Sequence, residues 1–184
     1  MSHPWPSEPE IALLAPVATV AQAAAAAEAG AGLVDAGDDG ALVPAIRRAV
    51  SGVRICGAHQ DADLMRDADL AARTGAALIC PGPDAAEAAV RRGVAAGRIL
   101  VQATPAGIKA AVRAGWPVLA DLERVADLAD SARLARIEAV AAVCAWLGAS
   151  VLRTRHVAKV RRCADMTESI LGRRPPAWAV RGLA

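Results

Sequence analysis

Short apolar runs alternate with longer amphipathic stretches along most of the chain. Seven runs of four to seven residues are rich in Val, Ile, Leu and Ala, and their continuous apolar character is typical of buried parallel strands. These predicted strands are Ile11–Val17, Ala31–Ala36, Val53–Cys56, Ala76–Cys80, Arg98–Ala103, Pro117–Ala120 and Ala149–Leu152.

Helical patterns fill the intervals between these runs. Thr19 and Asp84 stand where a helix N-cap is expected, and Gly30 follows the first helix as a stop signal. The predicted helices are Val20–Ala29, Leu42–Val50, a helix capped by Asp61 or Asp63 that runs to Arg73, Ala85–Ala95, Ala106–Ala114, a long stretch interrupted around Asp130 and Ser131 that reaches Leu147, and Val157–Leu171.

This alternation predicts an α/β fold with a parallel sheet. Seven or eight strand–helix units favour a closed barrel, while an open flavodoxin-like sheet is the alternative. The segment Ala15–Thr19 after the first strand lacks the glycines of a dinucleotide-binding turn, and no P-loop pattern occurs. We therefore predict a shortened TIM-like (β/α) barrel of about seven parallel strands with outer helices. It would span residues 11–172, between a flexible leader (1–10) and a C-terminal tail (173–184).

Composition narrows the class of function. Lys and Arg number 21 against 19 Asp and Glu, so the net charge of +2 predicts no nucleic-acid partner. No apolar run is long enough to cross a membrane, and the leader does not resemble a signal peptide. Four widely spaced cysteines show no CxxC pair, so we expect reduced core residues in a cytoplasmic protein rather than zinc ligands or disulfides. These are Cys56, Cys80, Cys144 and Cys163.

The most function-like stretch follows the seventh predicted strand. Arg153, Arg155 and His156 lie at the carboxyl end of that strand and just before a helix, where α/β folds bind ligands. Guanidinium groups beside a helix N-terminus favour a small anionic or phosphorylated ligand. The alternative is that these arginines form salt bridges with Asp35 or Asp121.

Catalytic candidates stand at other strand ends. Asp35, His59 and Asp121 are the catalytic candidates, since each ends or follows an apolar strand, and Asp35 could be a general base or a metal ligand. Asp35 could instead accept N–H groups of the Gly37 turn or pair with Arg153, and His59 could be a surface cap. Cys80 has no identifiable partner base for a nucleophilic role. No metal site and no cofactor are predicted.

Arg153-Thr154-Arg155-His156-Val157 resembles the Arg-x-His-Asp-Val ending of dihydropteroate synthases, and Ala31–Gly37 is similar to the second strand of that family. Further likenesses lie in Gly75–Cys80, in Ala95–Lys109 and in the helix from Arg133 to Leu147. The resemblance implies a TIM barrel, a homodimer and the deletion of one unit between Pro83 and Arg98.

The departures from the family's pattern concern its pterin-binding residues. Acceptors for the pterin N–H groups are replaced at several positions, and the charge of a Ser-Arg-Lys motif is reversed. The residues that replace pterin acceptors are Ala58, Cys80-Pro81 and Gln102, and Asp121-Leu122-Glu123 replaces the charged motif. Ala15 stands where the family has an Asn that helps to hold the diphosphate. We therefore expect a degenerate barrel without dihydropteroate synthase activity, a binding or accessory protein with an anion or phosphate site at the barrel mouth. The alternative is an enzyme on a retooled barrel that acts on a small phosphorylated or carboxylated metabolite.

Assembly is predicted from the same sequence. Long alanine-rich helical faces and Trp178, which follows Arg173-Arg174-Pro175-Pro176, favour a homodimer. The alternative is that Trp178 packs against its own barrel.

Overall fold

The computed structural model describes residues 10–125 and 130–174, and in them eight parallel strands close into a barrel. Neighbouring strands pair in chain order, and β8 pairs with β1. The predicted TIM-like barrel is confirmed, with eight strands rather than about seven. The strands are β1 (Ala12–Pro16), β2 (Leu33–Asp35), β3 (Arg54–Cys56), β4 (Leu64–Met65), β5 (Ala77–Cys80), β6 (Ile99–Ala103), β7 (Val118–Asp121) and β8 (Val151–Arg153).

Helices surround the barrel and begin close to the predicted positions. The Thr19 side chain caps the first helix by accepting the Gln22 N–H at 3.1 Å. The third helix is capped by Asp67, and not by Asp61 or Asp63 as predicted. The helices are α1 (Val20–Glu28), α2 (Leu42–Ala49), α3 (Ala68–Thr74), α4 (Pro83–Arg91), α5 (Pro105–Arg113), α6 (Asp130–Trp146) and α7 (Val157–Ile170).

The one strand that the sequence did not predict is β4, which lies inside a segment predicted as helix. The link between β3 and β4, Gly57–Asp63, contains no α-helix. Such a short parallel connection is possible because Cys56, at the end of β3, pairs with Leu64, at the start of β4, so the chain does not return to the base of the barrel. The expected deletion of one unit between Pro83 and Arg98 is not found, since the barrel has eight strands and α4 connects β5 with β6 in that segment.

The barrel interior is a narrow apolar stack. Its side chains come from alternate positions of the strands, and all of them are buried: Leu14, Leu33, Cys56, Leu64, Ala77, Ile79, Leu100, Leu119 and Val151. The next inward positions toward the carboxyl ends of β2, β4, β7 and β8 are charged: Asp35, Arg66, Asp121 and Arg153. The apolar stack therefore ends beneath a charged layer at the barrel mouth.

Helix α7 ties down the start of β1 at the opposite end of the barrel. Glu168 accepts the Ile11 N–H at 2.9 Å, and Arg161 donates to the Ile11 carbonyl at 2.6 Å. Arg161 also donates to Asp165 at 2.7 Å. We call Ile11, Arg161, Asp165 and Glu168 the base clamp. It joins residues 157 positions apart and so helps to close the barrel.

Other predictions concern the remaining parts of the chain. The four cysteines are free, and Cys56, Cys80 and Cys144 are buried. None of the helices in the described ranges is long and apolar enough to cross a membrane. Most of the predicted leader and tail, with Trp178, lies outside the described residues.

Candidate functional site

Four charged side chains meet at the barrel mouth. Asp35 ends β2, Arg66 follows β4, Asp121 ends β7 and Arg153 ends β8. Two carboxylates and two guanidinium groups form a continuous hydrogen-bonded chain in the order Arg66, Asp35, Arg153, Asp121. We call these four residues the mouth network. Its formal charge is zero at neutral pH.

Asp35 is the centre of the mouth network and is only 3% exposed. Both of its oxygens accept from Arg66, at 3.2 and 2.8 Å, and Oδ2 also accepts from Arg153 Nε at 3.1 Å. The Gly37 N–H donates to Oδ1 at 3.1 Å. Burial alone raises the pKa of Asp35, but the bonds and charge of Arg66, the Gly37 N–H and Arg153 outweigh it and hold the pKa below its usual value.

Arg153 bridges the two carboxylates. Asp121 and Arg153 are register partners on β7 and β8, and Arg153 Nη1 lies 3.4 and 3.2 Å from the Asp121 oxygens. The salt bridges offered as the alternative for Arg153 are therefore present, with both Asp35 and Asp121. A guanidinium held by two carboxylates has little net attraction left for an anion.

The sequence does not predict Arg66 as a site residue, because the strand that precedes it, β4, lies in a segment predicted as helix. Arg66 also lies near the buried Cys56, whose Sγ is 3.5 Å from Arg66 Nη1. Burial raises the pKa of the Cys56 thiol to about 12, and the nearby Asp35 carboxylate adds to that rise. Cys56 is thus protonated at neutral pH and is a poor nucleophile. The only sequence signal for Arg66 is an arginine two positions after Leu64, on the same side of a strand.

His59 stands apart from the mouth network. It lies in the link between β3 and β4, and its imidazole interacts with Asp61 of the same link. Its Nδ1 accepts the Asp61 N–H at 3.1 Å and lies 3.7 Å from the Asp61 carboxylate. The structure therefore joins the candidates Asp35, Asp121 and Arg153 but not His59. Within the described ranges, no group of three or more His, Cys, Asp or Glu residues could hold a metal ion.

Arg155 and His156 lie at the rim, beside the start of α7. The Arg155 N–H donates to Glu123 at 2.9 Å, and the His156 N–H donates to the Thr154 hydroxyl at 3.0 Å. Both residues line a cleft of about 610 Å³ that α1 and α7 border. This cleft is not lined by Asp35, Asp121 or Arg153. The three predicted anion-binding residues are therefore divided, with Arg153 in the mouth network and the other two at the cleft.

Comparison with known proteins adds sequence relatives. No protein-family model matches the chain. The chain is 41% identical to inactive dihydropteroate synthase 2 of Mycobacterium tuberculosis (strain ATCC 25618 / H37Rv) over 81 residues, which cover 40% of this chain and 25% of that relative. The protein of the same name from Mycobacterium leprae (strain TN) is 38% identical over 79 residues. The chain spans about a quarter of the length of the curated relatives that it matches.

Solved structures match over nearly the whole chain. The structure of Mycobacterium tuberculosis Rv1207 superposes with a TM-score of 0.73 and 26% identity, over 91% of this chain and 94% of that one. Yersinia pestis dihydropteroate synthase gives a TM-score of 0.75 at 15% identity, over 93% of this chain and 100% of that one, which shows the fold alone. The resemblance found in the sequence is therefore confirmed: the chain folds as a TIM barrel, and part of it is similar to proteins named inactive dihydropteroate synthase 2.

Proposed function

We propose that this protein is a binding or accessory protein of the cytoplasm that lacks dihydropteroate synthase activity and holds a small anion at the barrel rim. The observation that carries the proposal is the saturation of Asp35. Three guanidinium hydrogen bonds and one backbone N–H occupy its oxygens. The carboxylates of Asp35 and Asp121 thus bind side chains of the barrel and are not free to bind a ligand.

Loss of the pterin chemistry follows from the state of these acceptors. A pterin ring edge presents N–H donors and needs free acceptors. Asp35 and Asp121 are both held by arginine, and by the resemblance Cys80-Pro81 and Gln102 stand where the family has an Asn-Asp pair and an Asp. Leaving a buried donor unsatisfied costs about 1–3 kcal/mol, and several would be left at once.

A retooled enzyme is the weaker alternative. General base catalysis is most efficient when the pKa of the base lies near the working pH. The pKa of Asp35 is held below its usual value, which makes this carboxylate a weak base. The imidazole of His59 interacts with Asp61 in its own link and is not part of the mouth network. The mouth network therefore favours binding over catalysis.

The ion pairs of Arg153 move the proposed anion site outward. Arg155 and His156 lie beside the start of α7, where the positive helix end favours an anion. Removing Arg155 should therefore weaken anion binding more than removing Arg153, since Arg153 is held by Asp35 and Asp121.

Two assays test this proposal. The purified protein, incubated with a pterin diphosphate and p-aminobenzoate, should form no dihydropteroate while an active synthase does so in parallel. Product formation would overturn the proposal. In the second assay, millimolar phosphate should raise the melting temperature of the wild type and of Arg113→Ala, an exposed α5 control. Arg155→Ala should lose that protection. Equal protection of Arg155→Ala, or no protection of the wild type, would refute the rim site.

We also propose a homodimer formed through α6 and α7. These neighbouring helices carry four large apolar side chains that are at least half exposed: Val143, Trp146, Met166 and Ile170. Exposed apolar surface of this kind marks an interaction site. Light scattering should show a dimer at micromolar concentration and a monomer for Trp146→Glu. A wild-type monomer would refute the dimer.

A further inference from the structure

The cleft between α1 and α7 is outside the barrel mouth and has an apolar floor. Its volume of about 610 Å³ lies within the usual range for small-molecule sites. The floor comes from the end of β1 and from one face of α1, and its residues are Ala15, Pro16, Ala25, Ala26 and Ala29. No aromatic side chain from the described part of the chain lines it. Small methyl groups therefore form a smooth apolar wall along α1.

One end of this cleft is positively charged. The cations Arg155 and Lys159 line it together with His156, and no acidic side chain among the described residues does. The α7 N-cap position, His156, makes no side-chain capping bond, and the nearby Thr154 hydroxyl accepts the His156 N–H. The first N–H groups of α7, from Val157 and Ala158, have no acceptor within the helix, and both residues line the cleft. These donors and cations together favour a single anionic group.

Beyond the other end of the cleft, α7 lies close to the end of α1. A Cβ atom on Gly30, which follows α1, would lie 3.6 Å from Cγ of Arg161. The stem of Arg161 thus packs against the end of α1, just beyond Ala29. Along α1 the lining extends from Gln22 to Ala29, which is about 10 Å at 1.5 Å per residue. The cleft therefore fits a short chain with one charged end.

We propose that this cleft binds an aliphatic monocarboxylate. The carboxylate lies at the start of α7, where Arg155, Lys159 and the first helical N–H groups are the donors. The alkyl chain lies along the alanine face of α1 and ends near Gly30. This inference rests on the proposed binding role and adds to it a site and a class of ligand.

Binding of octanoate to the full chain tests this site. Calorimetry should show one site for octanoate, at least tenfold weaker binding of 1-octanol, which lacks the charge, and no binding of acetate, which lacks the chain. Ala25→Leu places a larger side chain in the cleft and should weaken octanoate binding at least fivefold. Ala21→Leu is the matched control, because Ala21 is exposed on α1 and does not line the cleft.

A substitution of Lys159 tests the cationic end of the cleft separately. Lys159→Gln should weaken octanoate binding at least threefold, whereas Lys109→Gln, an exposed lysine on α5, should leave it unchanged. Circular dichroism checks the fold of each protein. Because Lys159 is exposed, Lys159→Gln should fold and tests the site even if Ala25→Leu does not fold. Equal affinities for octanoate and octanol, or equal binding by Ala25→Leu and Ala21→Leu, would overturn the inference.

The outcomes also separate this inference from the proposed function. If octanoate does not bind while phosphate still protects the protein and no dihydropteroate forms, only the aliphatic cleft is refuted. Dihydropteroate formation would refute the proposed function whatever octanoate does.

Discussion

Asp35 in the mouth network and Glu168 in the base clamp are both buried, but their pKa values are shifted in opposite directions. Asp35 is 3% exposed and Glu168 is 1% exposed, and each faces an arginine. The pKa of Asp35 is lowered, whereas burial raises the pKa of Glu168 above its usual value despite the bond from Ile11. Burial alone therefore does not set the charge of a carboxyl group in this barrel.

The difference lies in the number of donors. Asp35 accepts four hydrogen bonds, three of them from guanidinium groups. Glu168 Oε1 accepts the Ile11 N–H, but Oε2 has no hydrogen-bond partner among the described residues, and Arg161 Nη2 lies 3.5 Å away. Full coordination keeps Asp35 ionised, and partial coordination leaves Glu168 with an uncompensated desolvation cost.

The largest effect should come from removing the centre of the mouth network. Asp35→Ala should lower the free energy of unfolding by about 3 kcal/mol, the low end for breaking a buried ion pair. The low end of that range applies because Arg153 retains its ion pair with Asp121 and the Arg66 side chain is 44% exposed. Urea unfolding measures the change, with Asp69→Asn as an exposed α3 control. A loss below about 1 kcal/mol would show that the network does not hold the barrel mouth.

Removing the charge of the base clamp should cost less. Glu168→Gln keeps an oxygen for the Ile11 N–H and relieves the desolvated carboxylate, so we expect a change within about 1 kcal/mol at neutral pH. Glu168→Ala, which also removes that acceptor, is the comparison variant. If both substitutions destabilise equally in urea unfolding, the charge of Glu168 and not its hydrogen bond to Ile11 is what matters.

The two carboxyls should give opposite pH dependence. The lowered pKa of Asp35 means that the unfolded chain binds more protons, so this contribution to stability is present above pH 3.8 and is lost as the pH falls through the folded pKa. The raised pKa of Glu168 means that the folded chain binds more protons, so stability falls as the pH rises from 4.5 through the folded pKa.

Melting temperatures from pH 3 to pH 7 measure both contributions. Asp35→Asn should flatten the acid limb of the profile, and Glu168→Gln should flatten the decline above pH 4.5. The same profile for both variants and the wild type would contradict the assigned shifts.

The smallest effect should follow a change of geometry without a change of charge. Arg66→Lys keeps the cation beside Asp35 but loses the two-pronged bond, and the side chain is partly exposed, so about 0.5 kcal/mol is expected. Arg47→Lys, at another partly exposed pair with Asp63, is the matched control. A loss as large as that of Asp35→Ala would mean that Arg66 alone, and not the number of donors, sets the state of Asp35.

Regular alternation made the barrel predictable, and irregular segments did not. Seven strands are visible in the sequence because each is a continuous apolar run. β4 has only the residues Leu64 and Met65, too few for a periodic signal, and Arg66 was missed with it. The pairing of Arg153 with Asp35 or Asp121 could be named as an alternative but not selected, because the choice depends on how the strand ends align. The base clamp joins distant residues and leaves no local pattern.

The helix-free link between β3 and β4 has a consequence for the order of folding. Cys56 and Leu64 pair across a short loop, whereas Ile11 and Glu168 meet across 157 positions. Loop closure costs more entropy as the loop lengthens, so this corner can pair early and the junction of α7 with β1 late. Weakening the base clamp should therefore accelerate unfolding far more than it slows folding. The contact between α7 and the start of β1 would then set the lifetime of the native barrel, although this contact lies at the opposite end of the barrel from the mouth network.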